Sequence, residues 1–417
     1  MNQLVSNYKE KYLKYKKKYL NLKYGGDPKY IPPHLRQLDK NFYVDIKEEL
    51  FLPIYFKDKL VSDLELNGYK LSSKEDALNV FLYGQDTYPK KNEGETLQEY
   101  EKRKNMHETQ FKNVHMINML YGEFKEIITN KVRFHEYFKD NKVIQKYIIP
   151  WNSIKKETRD IDLSKVIFNK DESKVLKAEN GYRSIGTILV KNKEEIYKHI
   201  NFYDKNKLIS TKLNTFIIAK DWIIENYINQ DKIEGRKFFI RVHILLISQH
   251  NSIKVYMSNK HPYSIMKKEL NDLFLSQDNV DDIAGSNLSI YNGSGGGGGK
   301  FRDKNNKNIL YNLDKNPHWP KDLPDGYNIS DILKINKNLN ELFVNIFSND
   351  KLHKLKPDFH SFNGFEIFGC DISFENKDIK LHELNRRTGL ILQAPFIKDI
   401  IKIYKHEDNF ENFTKII

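Results

Sequence analysis

The sequence predicts a mixed α/β protein with more than one domain. Its 417 residues correspond to two or three domains at about 150 residues each. Hydrophobic residues make up 39% of the chain and aromatic residues 13%, which is enough to form packed cores and excludes an intrinsically disordered protein. Short apolar runs divided by glycine- or turn-rich links predict strands, and apolar residues at helical spacing predict helices.

The charge of the chain indicates an acidic partner. Lys and Arg number 69 against 56 Asp and Glu, a net charge of +13. Such a surface favours nucleic acid, an anionic membrane or an acidic polypeptide, and charge alone does not choose among them. The one cysteine, Cys370, excludes an intrachain disulfide and is typical of a reducing, cytoplasmic compartment. Because no apolar run approaches about 18 residues, we expect no transmembrane segment.

The amino-terminal residues predict a basic helix. Within residues 6–24, tyrosines recur at helical spacing among lysines, and two glycines follow. The helix is either a solvated amphipathic helix, able to pair in a coiled coil, or an arm for a membrane surface or nucleic acid. The segment resembles one that recurs on unrelated proteins of mimivirus-like giant viruses, which suggests an origin more than a function.

A β-hairpin near the carboxyl end carries metal-ligand chemistry. Two apolar runs, Phe365–Phe374 and Ile379–Leu384, flank a polar four-residue link. Strand alternation directs Glu383 and Asn385 to one face, and the turn brings Asp371 within about one residue of opposite Glu383. Two carboxylates and an amide oxygen suit Mg²⁺ that carries substrate phosphates. The alternative is a charged, solvated hairpin.

A second hairpin contains a glycine-rich link. The runs Ser173–Lys177 and Thr187–Val190 are strand-like, and Gly181 and Gly186 lie between them. Backbone N–H groups of such a link can meet phosphate oxygens, and Lys177 could reach the same phosphates. The alternative is an ordinary turn.

The run Gly235–Ser248 predicts a buried strand with charged residues near its start. Arg241 lies inside this apolar strand and therefore needs an anionic partner, either a phosphate or a structural carboxylate. His243 shares its face and is interpreted as a packed core histidine. Further along, Ser330 is predicted to cap an amphipathic helix whose apolar side includes Leu333.

These elements follow an order that resembles the ATP-grasp ligases and, more closely, the tubulin–tyrosine ligase-like family. The order is a glycine hairpin with a lysine, a strand ending in a hinge, a GRKF-x-IR strand and a D…E-x-N hairpin. The resemblance extends from Asn79 to Leu392, and its best stretch is Trp222–Leu246. It implies an ATP-grasp fold, with the nucleotide held between two mixed β-sheet lobes. The implied domains are a basic helix (1–26), an N-terminal α/β domain (27–128), a central lobe (129–232) and a C-terminal lobe (233–417).

The resemblance also implies roles for individual residues. In this family pattern, the lysines of the two lobes and the glycine loop contact the phosphates, the hinge binds the adenine, and Arg241 would stabilise the γ-phosphate. The implied site residues are Lys177, Arg183, Gly186 and Lys237 for the phosphates, Glu225, Asn226, Tyr227 and Ile228 for the hinge, Arg241 for catalysis, and Asp371, Glu383 and Asn385 for the metal.

The reaction implied is ATP- and Mg²⁺-dependent amide formation through an acyl-phosphate. A free amino acid (glutamate, glycine or tyrosine) would be joined to an acidic protein such as the C-terminal tails of tubulin. The location expected is the cytoplasm, or the host cytoplasm or virion if the chain is viral. The alternative is a degenerate relative that binds nucleotide or microtubules without catalysis. Nucleic-acid binding ranks last, since no base-stacking or groove-reading motif is present.

Two departures from the family pattern accompany the resemblance. Phe239 stands where the family has an aspartate, so a nucleotide or metal contact is missing. Met257 precedes the segment SNKHPY, where the family has an arginine. Lys254 or Lys260 is the candidate replacement for that arginine.

Overall fold

A computed structural model gives the fold, and it describes about half of the chain. The described residues are 40–46, 51–73, 76–83, 96–99, 102, 116–118, 127, 130–138, 163–164, 166–170, 172–178, 187–206, 208–210, 215–217, 222–233, 236–249, 252–265, 318–319, 323–348, 363–385 and 394–417. The predicted basic helix at 1–26 lies outside them.

The mixed α/β class is confirmed. Within the described residues, 12 strands form one large mixed sheet. They are β1 (Asn41–Ile46), β2 (Lys70–Leu71), β3 (Asn79–Tyr83), β4 (Met116–Ile117), β10 (Lys232–Ile233), β11 (Arg236–Gln249), β12 (Ser252–Ser258), β13 (His261–Ile265), β14 (His318–Trp319), β15 (Gly364–Glu375), β16 (Asp378–Asn385) and β17 (Phe413–Lys415).

Two long strands, β11 and β15, run antiparallel through the middle of this sheet. On the outer side of β11 lie β10, β12 and β13, and on the outer side of β15 lies β16. Strands β1 to β4 pair in parallel, and β4 joins β15 where Gly364 pairs with Ile117. Strands from the predicted domains 27–128 and 233–417 therefore share one sheet.

The predicted glycine hairpin belongs to a separate three-stranded antiparallel sheet. Its order is β6 (Thr187–Val190), β5 (Lys174–Ala178) and β9 (Trp222–Asn226). A two-stranded sheet follows, formed by β7 (Leu208–Ser210) and β8 (Thr215–Ile217). All of these strands lie within the predicted central lobe, residues 129–232.

Helices cover the sheets. Those with given bounds are α1 (Phe51–Leu66), α2 (Lys131–Phe138), α3 (Lys193–Asn206), α4 (Ile329–Phe347) and α5 (Ile397–Tyr404), the last preceded by a 3₁₀ turn, Ala394–Phe396. Helix α4 corrects two predictions. Its N-cap is Asn328 rather than Ser330, because Asn328 and Asp331 form a reciprocal capping box. Leu333 is 65% exposed, because it lies outside the stripe that faces the sheet.

The two faces of the large sheet pack differently, because residues of β11 and β15 alternate between them. One face packs along its whole length against α2 and α4, with Ile240, Val242 and Ile244 at its centre. The other face is covered by α1 and α5 only in its second half, around Leu245 and Ile247. The first half of this second face carries the candidate site.

Asp231 ties the hairpin of β15 and β16 to the segment that leaves β9. One carboxylate oxygen accepts the N–H of Asn376 at 2.9 Å, and the other accepts the N–H of Lys377 at 2.8 Å. The Tyr327 hydroxyl also donates to Asp231, at 2.5 Å. Burial and this hydrogen bond raise the pKa of Tyr327, which keeps the hydroxyl a donor at neutral pH. The hairpin turn is therefore fixed to residues 227–231.

Candidate functional site

The candidate site begins with a row of three residues on adjacent strands. Arg241 of β11 lies opposite Asp371 of β15, and Asp371 lies opposite Glu383 of β16. The Arg241 guanidinium donates from Nε to Oδ1 and from Nη2 to Oδ2 of Asp371, both at 2.7 Å. Their side chains are 23% and 17% exposed, so the pair is partly open to solvent. The arginine thus has a carboxylate partner within the sheet.

A β-bulge brings Glu383 into this row. Counted from the turn, where Glu375 pairs with Asp378, regular pairing would set His382 opposite Asp371. The register shifts between Asp371 and Ile372, so one extra residue of β16 is accommodated and Glu383 takes that place. The prediction that Glu383 lies within about one residue of the position opposite Asp371 is therefore confirmed.

The bulge is anchored by buried polar contacts. The ring Nε2 of His382 lies 2.7 Å from the Ser373 hydroxyl and 3.5 Å from Nε2 of Gln230. These side chains are all buried. Asn385 lies opposite Gly369, and its amide nitrogen donates to Oδ2 of Asp371 at 3.3 Å. The structure therefore brings Arg241, Asp371 and Asn385 together, whereas the side chain of Glu383 lies outside the described atoms.

Two neighbours of this row belong to the core. Cys370 is fully buried on the opposite face, where burial raises the pKa of its thiol well above the usual range. His243 is fully buried, and its ring lies edge-on to Phe396, with centroids 5.0 Å apart. Burial and the charge of Arg241 hold the pKa of His243 well below its usual range. The interpretation of His243 as a packed core histidine is confirmed.

The three-stranded sheet places Lys177 beside Glu225. The two residues are diagonal neighbours on one face, since Lys177 pairs with Ile223 and Val175 pairs with Glu225. Nζ of Lys177 lies 2.5 Å from Oε2 of Glu225. Nε2 of His135, from helix α2, lies 3.2 Å from Oε1. The side chain of Glu225, predicted as part of the adenine hinge, therefore holds the predicted phosphate lysine.

The Glu225 carboxyl has a strongly lowered pKa. Burial alone would raise this pKa, but the charge of Lys177 and the hydrogen bond to His135 outweigh burial and lower it to about 2. The carboxylate is therefore charged at any physiological pH, and the three side chains form a buried charged cluster.

Acid should weaken the fold through this carboxyl. A pKa lowered on folding, from 4.5 to about 2, stabilises the folded state fully above pH 4.5 and progressively less as the pH falls towards 2. Over that window the wild type should lose about 3 kcal/mol of unfolding free energy relative to Glu225→Gln, at 1.36 kcal/mol per pKa unit. Urea titrations at pH 5 and pH 3 should measure about 2 kcal/mol of this difference, because the rest is lost only below pH 3. Equal losses in both proteins would contradict the assignment.

The other hinge residues leave the end of β9. Asn226 accepts a hydrogen bond from the Lys174 ammonium at 2.8 Å, and the N–H of Tyr227 donates to the carbonyl of Ser173 at 3.2 Å. Ile228 is buried in the core below β11. Burial raises the pKa of Tyr227 to about 12, so its hydroxyl is neutral. The backbone from Glu225 to Ile228 thus connects the small sheet with the hairpin.

Some predicted site residues cannot be located. Arg183 and Gly186 lie outside the described residues, as does the link between β5 and β6. Lys237 is on β11, opposite Lys232, but its side chain is outside the described atoms. Their roles stay predictions.

Phe239 does not replace the chemistry of the family aspartate. It is a buried apolar side chain at 8% exposure, opposite Ser264. Lys254 is wrong as a replacement for the missing arginine, since it lies opposite Ile247, about 20 Å along β11 from Arg241 at about 3.4 Å per residue. It also pairs with Asp408 at 3.2 Å. Lys260 lies in the exposed connection between β12 and β13, level with residues 241–243 of β11.

Sequence reasoning missed three contributors to this region. His135 contacts Glu225, Lys174 contacts Asn226, and Asp231 holds the hairpin turn. The sequence does indicate, from strand alternation, that Lys174 and Lys177 lie on opposite faces of β5, but not that Lys174 contacts Asn226. His135 gave no signal, because a histidine in a short amphipathic helix has no pattern that singles it out.

The donor set fits Mg²⁺ with a nucleotide. In the described ranges, His, Cys, Asp and Glu side chains do not gather in threes that could hold a metal on their own. Asp371 supplies carboxylate oxygens, Asn385 lies beside it with its amide nitrogen towards Oδ2 of Asp371, and Glu383 lies opposite Asp371. Mg²⁺ commonly takes one or two carboxylates and completes its shell with phosphate oxygens and water.

Among the described residues, no helix has the length and apolar character needed to cross a membrane.

Comparison with protein-family models gave no match, and neither did comparison with curated proteins. Among solved structures, the chain is similar to the crystal structure of the C-terminal domain from K. lactis Pby1, an ATP-grasp enzyme interacting with the mRNA decapping enzyme Dcp2. The TM-score is 0.49 and the sequence identity 15%, over 90% of this chain and 98% of that one. These values carry no argument about activity, so the case for function rests on the chain's own residues.

Proposed function

We propose that this chain is an ATP-dependent carboxylate–amine ligase of the ATP-grasp, tubulin–tyrosine ligase-like type. The observation that carries the proposal is the row of Arg241, Asp371 and Glu383 on three adjacent strands. One basic and two acidic residues in a row, of which Arg241 and Asp371 are partly exposed, suit a triphosphate with its metal. The bulge sets Glu383, rather than His382, opposite Asp371, and bulges are over-represented next to active sites.

The reaction would proceed in two displacements. A substrate carboxylate attacks the γ-phosphorus of ATP, the bond to the β-phosphate oxygen breaks, and an acyl-phosphate and ADP form. The amine of the second substrate then attacks the acyl carbon, phosphate leaves, and the amine loses a proton as the amide forms. Negative charge is concentrated on phosphoryl oxygens throughout, so catalysis is by positioning and electrostatic stabilisation.

The residues of the chain would divide this work. Arg241 would stabilise the phosphoryl oxygens, since a guanidinium has five N–H donors and can meet Asp371 and an anion together. Lys177 and Lys237 would contact the phosphates, and residues 225–228 would border the adenine. Asp371, Glu383 and Asn385 would hold Mg²⁺, which supplies positive charge to the phosphate oxygens when bound. The net charge of +13 suits an acidic acceptor such as a tubulin tail.

Incubation with ATP, Mg²⁺, tubulin and labelled glutamate, glycine or tyrosine tests the proposal. We expect label in the acidic protein together with release of ADP and phosphate. Omission of Mg²⁺ should abolish incorporation. Absence of incorporation with every amino acid, combined with absence of ATP binding, would overturn the proposal.

A second candidate, a nucleotide- or microtubule-binding relative without catalysis, is favoured by Phe239. A buried phenylalanine at the position of the family aspartate offers neither an acceptor for a ribose hydroxyl nor a metal ligand. This candidate predicts ATP binding without incorporation, and a biological activity that is unchanged by Asp371→Ala.

A further inference from the structure

Helix α2 reaches the predicted phosphate lysine through one buried carboxylate. Glu225 has a different partner on each oxygen, Lys177 on Oε2 and His135 on Oε1. The side chains of His135 and Glu225 are 1% and 3% exposed, and that of Lys177 is 8% exposed. The cluster is therefore shielded from water, and each contact fixes the direction of the next.

This arrangement restrains a side chain that is otherwise mobile. A lysine ammonium is a point charge on a flexible four-carbon stem, with three donors that rotate freely. One donor is directed at Glu225, which fixes the end of the stem and the direction of the remaining donors. A buried lysine–carboxylate pair has the same task in protein kinases, where it must form before the lysine can serve the nucleotide phosphates.

The same strand contains an internal comparison. Lys174 is also buried and also paired, with Glu172 at 2.7 Å and Asn226 at 2.8 Å. It lies on the opposite face of β5 from Lys177, because the two are an odd number of positions, three, apart along the strand. Its partner Glu172 is 23% exposed, whereas Glu225 is enclosed by α2. The enclosed carboxylate with a histidine partner thus belongs to Lys177.

We infer that Glu225 and His135 are positioning residues that hold the Lys177 ammonium in place for nucleotide phosphates, so that helix α2 forms part of the nucleotide site. The inference rests on the proposed function, since it presumes that Lys177 meets a nucleotide. It assigns to His135 a task that lies outside the sequence resemblance.

ATP affinity of the full chain, measured by titration calorimetry with Mg²⁺, tests this role. His135→Leu keeps volume without the donor and should weaken ATP binding about 10-fold, the lower range for loss of a residue that orients a ligand. His135→Gln restores an N–H near the Nε2 position and should recover most of that loss. Glu136→Gln, an exposed change on the same helix, is the matched control and should leave ATP affinity within about 2-fold.

A double-variant comparison separates positioning from general destabilisation. In the Lys177→Met background, His135→Leu should have no further effect on ATP affinity, because no ammonium remains to be positioned. If His135→Leu does not fold, His135→Asn, whose amide is too short to reach Glu225, takes its place. Equal effects of the His135 change with and without Lys177, or wild-type affinity in His135→Leu, would overturn the inference alone. Failure of the wild type to bind ATP would overturn the proposed function as well.

Discussion

Asp371→Asn is expected to reduce ATP-dependent amide formation by at least about 100-fold, comparable to the loss of one electrostatic contact to a transition state. The change keeps the size of the side chain but removes its charge. It takes away a predicted metal ligand and also the partner that receives two hydrogen bonds from Arg241. Both losses act on the same row of residues.

The assay is incorporation of labelled amino acid at saturating ATP, with circular dichroism to check the fold. Asp378→Asn is the matched control, since Asp378 is an exposed carboxylate at the start of β16 in the same hairpin. It should retain activity within about 2-fold, as a surface substitution away from the site does little. If Asp371→Asn keeps full activity, the hairpin is the charged, solvated element that was the alternative interpretation.

Lys177→Met should lower the free energy of unfolding by about 3 kcal/mol, the lower range for breaking a buried ion pair by removal of one partner. The cost arises because the Glu225 carboxylate stays buried and loses the charge that offsets its burial. His135 remains as a hydrogen-bond partner, but a single ring N–H compensates a buried carboxylate less than the ammonium and the N–H do together.

Urea titration of the single and double variants measures this effect. Lys177→Met combined with Glu225→Gln should recover most of the lost stability, because the unpaired charge is gone. Lys174→Met should cost less, since its partner Glu172 is 23% exposed and can be hydrated. Were the double variant as unstable as Lys177→Met, packing of the lysine stem rather than the buried charge would explain the loss.

The hairpin shows how far the sequence could predict the candidate site. Alternation and turn chemistry placed Asp371, Glu383 and Asn385 together, because strand geometry is local and regular. The bulge at Asp371 was not predictable from the pattern, since it depends on how His382 packs against Ser373 and Gln230. For Arg241 the sequence left a phosphate and a carboxylate open, and the structure shows the carboxylate of Asp371.

Long-range pairings lay beyond the sequence. The sequence pattern predicts a separate α/β unit at residues 27–128. In the structure β4 pairs with β15, so the strands of that unit are part of the large sheet. No local pattern encodes which distant strand a given edge will meet. The contact of His135 with Glu225 is a similar case, since it depends on how a helix docks on a sheet.

The sheet shared by the two ends of the chain sets an order on folding during synthesis. Ile117 can pair only after Gly364 has been synthesised. Likewise, the carbonyl of Val80 can accept its hydrogen bond from the Tyr404 hydroxyl, at 2.8 Å, only after Tyr404 has been added. At about 5 to 20 residues per second, a ribosome needs roughly 12 to 50 s to pass from the first strands to β15. Throughout that interval the edge formed by β3 and β4 lacks its neighbour, and an unpaired edge invites pairing with other chains. The topology therefore exposes this edge to pairing with other chains until β15 has been synthesised.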